Sequence, residues 1–255
     1  MRAAEENYAK VRLILSDEGD RRGLRGVMGV SPFEPVRDTL LPTQKEKLGE
    51  IAGQSLEKLV KHGSVISIAF AYPAYAIEAI AVGSEGRWDI DRWQVYARAY
   101  ARLNAALNDT SRKIADAIGG IAIPATVEWG KASKVATVED YYTDRVSHRV
   151  AAERSGVGWR GKHELIVNPL YGPAIRLASV LTTIPITRTP QLPDGCEGCR
   201  ACLDACTFLA NKERLTNYRE QCRRYINHLA LEDEVCGKCI KACVSSGIHA
   251  GEFRL

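Results

Sequence analysis

Eight cysteines are the residues in this chain best equipped for chemistry, and all of them fall between positions 196 and 243. The first four read Cys196-x2-Cys199-x2-Cys202-x3-Cys206. The last three read Cys236-x2-Cys239-x3-Cys243, with Cys222 standing between the two runs. Eight thiols suit two four-cysteine sites. Disulfides need an even count, which is met. A chain of 255 residues can, however, bury a core without covalent staples, and this one is expected to be cytoplasmic. Structural zinc takes separated Cys-x2-Cys pairs, two ligands from each, and a run of three cysteines at two-residue gaps departs from that spacing.

The run agrees better with the spacing that holds [4Fe–4S] clusters. Two-residue gaps let successive thiolates converge on one cube. The three-residue step starts a helix that carries the fourth thiolate away to a second cube. By that cross-ligation rule, Cys196, Cys199, Cys202 and Cys243 hold one cluster, and Cys206, Cys222, Cys236 and Cys239 hold the other. Such runs usually place proline after the fourth cysteine, whereas Thr207 and Val244 stand there here.

A pair of clusters needs only about 60 residues, so the roughly 190 cysteine-free residues before it must serve another purpose, such as holding an electron acceptor. Their patterning is mixed. Gln44–Lys61 places Leu48, Ile51, Ala52, Leu59 and Val60 on one helical face. Ser64–Tyr72 is an apolar run stopped by Pro73 and predicts a buried strand. Trp93, Tyr96, Tyr100, Leu103 and Leu107 recur at steps of three and four, predicting an amphipathic helix that Ile114 and Ile118 extend and Gly119-Gly120 ends. Strands are predicted at 121–127, 165–167 and 177–184, and a helix at 145–154 with Gly156 as its stop. The expected architecture is an α/β (α+β) N-terminal domain over 1–190 and a C-terminal ferredoxin-like double [4Fe–4S] domain over 191–255.

Composition is that of a globular protein: 45% hydrophobic and 26% charged, with 35 basic against 31 acidic residues. Residues 196–255 hold nine Lys/Arg against eight Asp/Glu, leaving twenty-six against twenty-three elsewhere, so neither part is a polycation. Charge therefore permits a nucleic-acid partner without arguing for one. No apolar run approaches the length of a membrane-spanning helix. Two glutamates lie where a secretory signal would need positive charge, so no export signal and no membrane partner are expected.

The segment Ser155-Gly-Val-Gly-Trp-Arg-Gly-Lys-His-Glu-Leu-Ile-Val-Asn168, followed by Tyr171-Gly172 and Leu181-Thr182, resembles the core signature of epoxyqueuosine reductases. The cysteine pattern is similar to that family's too, including Cys222 with Tyr225 three residues on. The likeness runs from about residue 60 to 245. It implies a cobalamin bound without its lower base, two [4Fe–4S] clusters that reduce the cobalt, a low-potential electron donor, and an acidic proton donor. The substrate it implies is the epoxide of a modified base in tRNA. Reductive dehalogenases are distant relatives with the same cofactors and a tyrosine donor.

The chain also departs from the family. Counting back from Gly156 without gaps puts Tyr142 at the position of the catalytic aspartate, with Asp144 two residues away. Either is a candidate proton donor; Tyr142 could equally be a packed aromatic and Asp144 a helix N-cap. The family's proline and glutamate after that position become Arg145 and His148, and its helical-repeat tRNA-binding extension is expected to be missing. Gly156, Gly158 and Gly161 allow a tight turn or the close approach of a flat ligand. Arg160, Lys162 and His163 could meet the rim of a corrin or lie in solvent. Ile166 and Leu177 match positions whose backbone faces the corrin in the family, though strand residues commonly just fill core. His148 is weighed as a lower cobalt ligand against a packed histidine.

The expected function is reduction of an electrophilic substrate, a small molecule or a modified base, by a cobalamin fed from two clusters. Two alternatives stay open. One is an electron-transfer module that reduces a partner corrinoid protein without substrate chemistry of its own. The other is a protein whose clusters are structural.

Overall fold

The computed structural model describes residues 2–123 and 146–246. The chain divides into two compact units. One gathers residues 1–70, 104–159 and 176–193. The other gathers 71–103, 160–175 and 194–255.

The first unit is built on a four-stranded sheet. Helix α1 (Arg2–Asp20) leads into strand β1 (Gly26–Pro32), followed by α2 (Phe33–Thr39), α3 (Pro42–Ala52), α4 (Leu56–His62) and β2 (Ser64–Ala71). Strand β3 (Ile121–Ile123), helix α7 (His148–Arg154) and strand β6 (Ile175–Thr182) come later in the chain. The spatial order is β1-β2-β6-β3. β1 runs antiparallel to β2, with Gly26 opposite Phe70 and Pro32 opposite Ser64, and β3 runs antiparallel to β6, with Ile121 opposite Leu181. Every residue of β2 is buried, so the strand is covered on both faces, as its unbroken apolar run requires. The core joins Phe33, Val36 and Leu40 to Leu48, Leu59, Val65, Val150 and Leu181. In α1, buried Glu18 takes an ion pair from Lys113 at 2.8 Å and others from Arg21 and Arg22.

The helix expected over 44–61 is two helices. Gly53 takes a left-handed φ of 50°, and the 3₁₀ turn Gly53–Ser55 separates α3 from α4. The apolar spacing continues across the break, so the pattern alone does not reveal it. Within the predicted strand 121–127 only Ile121–Ile123 are described, and they are extended. The helix expected over 145–154 begins at His148, with Ser147 at its N-cap position; Asp144 is therefore not its cap, and Tyr142, Asp144 and Arg145 lie outside the described residues.

Helix α6 (Ile90–Ile118) carries the predicted aromatic stripe. The Asp89 carboxylate accepts from Arg92 N–H at 3.1 Å and caps its start. Gly119, with φ 63°, ends it while Gly120 N–H returns to Ala115 O. The second unit takes the first part of this helix and also contains α5 (Ala74–Glu78). Tyr72 and Tyr96 stack there with ring centroids 5.1 Å apart, and Trp93 is fully buried. β4 (Trp159–Arg160) and β5 (Ile166–Val167) form a two-stranded ribbon. The segment bearing the cysteines is helical where described: α8 (Ala201–Asp204), α9 (Thr207–Ala210), α10 (Tyr218–Leu229) and α11 (Lys238–Ser245). Its described residues contain no strand, so any ferredoxin-like character rests on cysteine spacing. Among the described residues no helix is long and apolar enough to cross a membrane.

Candidate metal centre

Short helices and tight turns set the eight thiols. The carboxylate of Asp194 accepts the Cys196 N–H at 2.9 Å, and Cys199 N–H closes on Cys196 O at 2.8 Å. That loop delivers Cys196 and Cys199, while α8 carries Cys202 and ends before Cys206. Helix α10, capped by Asn217 accepting from Glu220 N–H, carries Cys222. Cys236 precedes α11, which carries Cys239 and Cys243.

All eight cysteines are free thiols. Cys196, Cys202 and Cys243 are buried and the other five half-buried. Burial pushes the Cys243 thiol up to about 12, and the charges of Cys202, Cys196 and Cys199 add to it. Burial likewise raises Cys202, helped by Cys196 and Cys199. Cys196 and Cys199 thus act on both Cys202 and Cys243. Cys222 is pushed up to about 12 by burial and then by Cys236 and Cys206. Cys236 reaches about 11 through burial, although the backbone and ammonium of Lys238 pull it down. Cys239 is raised well above the ordinary thiol value by burial, then by Cys236, Cys222, Cys206 and Cys202. Cys243 and Cys202 thus feel Cys196 and Cys199, whereas Cys222, Cys236 and Cys239 feel Cys206, and Cys239 also feels Cys202. Among the described residues no three His, Cys, Asp or Glu side chains gather tightly enough for a single metal ion. The thiols act on one another as charges in a poorly screened interior.

The glycine-bearing segment is a hairpin. Gly161 N–H donates to Leu165 O and Glu164 N–H to Gly161 O, while Glu164 takes a left-handed φ of 67°. A Cβ on Gly161 would lie 2.7 Å from His163 Cε1 and 2.8 Å from Val167 Cγ2. The chain's own packing thus demands glycine there. In the first unit, Gly156 has φ 70°, and a Cβ on it would lie 2.0 Å from Pro190 O. Gly158 is buried.

The remaining candidates disperse. Arg160 faces Glu164 at 3.8 Å. The Lys162 ammonium donates to Glu197 O at 2.6 Å and Cys199 O at 2.8 Å. His163 is buried and its Nδ1 accepts from Leu165 N–H. Ile166 is core, while Leu177 is half-buried. In the first unit, His148 is buried with Nδ1 2.9 Å from Ser179 Oγ.

Two features escape a reading of the sequence. Glu164 gathers Arg219 at 3.4 Å and Lys212 at 3.8 Å besides Arg160. Lys238, between Cys236 and Cys239, places its ammonium 4.4 Å from the Tyr225 ring centroid and 5.1 Å from that of Trp88. The position of Lys238 inside a Cys-x2-Cys step was the available signal for the second; Glu164 had none.

Comparison with known proteins places these features in context. No family model matches the chain. It is 30% identical over 151 residues to the epoxyqueuosine reductase of Listeria monocytogenes, covering 56% of this chain and 34% of that one. It is 28% identical over 191 residues to the epoxyqueuosine reductase of Bacillus subtilis, covering 71% and 46%. It is 26% identical over 197 residues to that of Bacillus cereus, again covering 71% and 46%. The chain thus spans less than half the length of these relatives. In fold it is similar to the solved epoxyqueuosine reductase of Bacillus subtilis, with TM-score 0.51, 20% identity, and 96% of this chain and 66% of that one covered. An epoxyqueuosine reductase crystallised with an epoxyqueuosine-modified tRNA stem loop gives TM-score 0.50 at 21% identity, over 96% and 66%.

Proposed function

We propose that this chain, a relative of the epoxyqueuosine reductases, is an iron–sulfur reductase holding two [4Fe–4S] clusters. The observation that carries this reading is the set of eight free cysteines at the spacing that holds two such clusters, supported by the charges that Cys243 feels from Cys202, Cys196 and Cys199 and Cys239 from Cys236, Cys222 and Cys206. Four thiols supply the ligand set of one cubane, and the charge that Cys239 also feels from Cys202 suits a relay between the two. Cys196, Cys199, Cys202 and Cys243 are the ligands of one cluster, and Cys206, Cys222, Cys236 and Cys239 those of the other.

The relatives' name supports epoxyqueuosine, an epoxide-bearing modified base, as the substrate class. Opening an epoxide to an alkene takes two electrons and two protons and releases one water. Two one-electron clusters match that count, filled by a low-potential donor. The protons need a donor near the substrate, for which Tyr142 and Asp144 are the proposed residues.

The family also implies a cobalamin. The residues singled out for it do not make a ready set of donors. Lys162 is engaged on the carbonyls of Glu197 and Cys199, Arg160 faces Glu164, and Ile166 is core.

Anaerobic reconstitution followed by iron and sulfide analysis tests the reading. About eight irons and eight sulfides per chain are expected. Zinc in their place, or cysteines bonded to one another, overturns it. Titration with cob(II)alamin then decides the corrinoid: a spectral shift to a base-off species supports it, and no binding removes it while leaving the clusters.

A further inference from the structure

We propose that Lys162 is a positioning residue for the cluster of Cys196, Cys199, Cys202 and Cys243: its ammonium clamps the first cysteine loop and makes that cluster easier to reduce. The inference rests on the two-cluster reading above. Three observations carry it. The ammonium donates two short, charge-assisted hydrogen bonds, to Glu197 O at 2.6 Å and Cys199 O at 2.8 Å. Both acceptors belong to the loop between the first two ligands. Glu197 is also one of three non-glycine described residues with positive φ, at 33°. A backbone held in that region persists only where its surroundings over-determine it, and the lysine holds the carbonyl of that very residue.

The clamp is itself braced. Lys162 O accepts from the Lys212 ammonium at 3.3 Å, and Lys212 also faces Glu164. Hairpin and cysteine loop are thereby tied by side chain to backbone, which leaves every thiol free to bind iron. The charge has a second effect. Reduction adds an electron to the cluster, and a fixed cation nearby stabilises the more negative state, so the potential rises. In the other set, Lys238 acts in the same sense on Cys236.

Three variants in the full chain separate the two roles. Lys162→Gln keeps a hydrogen-bond donor but loses the charge, Lys162→Met loses both, and Lys162→Arg keeps both. The readouts are iron release to a chelator and an EPR-monitored redox titration. Each variant is studied in the parent and in a Cys206→Ala/Cys236→Ala background that retains only the first set. Lys162→Met is expected to release iron from the first cluster at least tenfold faster. Lys162→Gln should lower that cluster's potential with a smaller change in release, and Lys162→Arg should restore both. The second cluster should be unmoved. A parent with about eight irons whose Lys162→Gln and Lys162→Met variants keep its potentials and release rates overturns the inference alone. A parent that takes up no iron overturns the two-cluster reading with it.

Discussion

The pairing of distant cysteines makes the sharpest demand on the structure. If each run served its own cluster, Cys206 would join Cys196, Cys199 and Cys202, and Cys243 would join Cys222, Cys236 and Cys239. The charges that the thiols feel divide them otherwise. Cys243 responds to Cys202, Cys196 and Cys199, whereas Cys206 acts on Cys222, Cys236 and Cys239. Two double variants separate the cases. Cys206→Ala/Cys236→Ala removes two ligands of one set and none of the other, so it should retain roughly four of about eight irons. Cys202→Ala/Cys206→Ala strikes both sets and should retain almost none. Partial occupancy of a broken set is unfavourable. A thiol such as Cys243, pushed up to about 12, costs roughly 4 kcal/mol more to ionise than one near the ordinary value, so without iron it stays protonated. Iron and sulfide analysis of both proteins, with EPR spin counting after dithionite reduction, reads the outcome. The opposite pattern, about four irons in Cys202→Ala/Cys206→Ala and almost none in Cys206→Ala/Cys236→Ala, would refute the pairing.

Other consequences follow from single positions. Gly156→Ala must force a left-handed alanine against Pro190 O, and should cost at least roughly 3 kcal/mol in denaturant unfolding. Gly198→Ala, which meets nothing within 4 Å, should change stability by less than about 0.5 kcal/mol. The Lys113 ammonium, with Arg22, holds the buried carboxylate of Glu18 below its usual range despite the opposing effect of burial. Its stabilisation is therefore full above about pH 4.5 and is lost as pH falls through the depressed value. Glu18→Gln should lower stability at pH 7 by about 2 kcal/mol and flatten that acid loss, as pH-dependent melting would record. Lys238→Met, removing the cation beside Cys236, should lower the potential of the second cluster in an EPR-monitored titration and leave the first unchanged.

Much of the fold was legible because the elements in question are locally determined. The stripe from Trp93 to Leu107 fits one face of α6, and Gly119-Gly120 ends the helix by the left-handed turn that favours glycine there. The apolar run of β2 is buried throughout. The break at Gly53 was not legible, because the hydrophobic spacing passes over it unchanged and only the backbone angle separates α3 from α4. Nor could local pattern show that residues 71–103 and 160–175 group with the cysteine segment. That grouping depends on packing between stretches far apart in sequence. Gly237 illustrates it: a Cβ there would lie 2.1 Å from Ile80 Cδ1 and 3.3 Å from Tyr96 Cε1. The backbone between Cys236 and Cys239 must therefore press closely on side chains more than a hundred residues earlier.

The same long reach changes what the hairpin motif and the cysteine run mean together. In sequence they are separate signals, one rich in glycine and one rich in sulfur. In space a lysine of the first holds two carbonyls of the second, across separations of 35 and 37 residues. Gly161 has to be glycine because His163 and Val167 fill the space beside it, and that tight turn sets where Lys162 leaves the chain. A Gly161→Ala substitution should therefore be felt first at the loop of Cys196 and Cys199, although it touches no cysteine. Its Cβ would displace the His163 ring or the Val167 methyl, move Lys162 and loosen Glu197. Faster iron loss from the first cluster, with the second retained, is the expected result. Equal loss from both clusters would show instead that the hairpin supports the unit as a whole and has no particular hold on one cysteine loop.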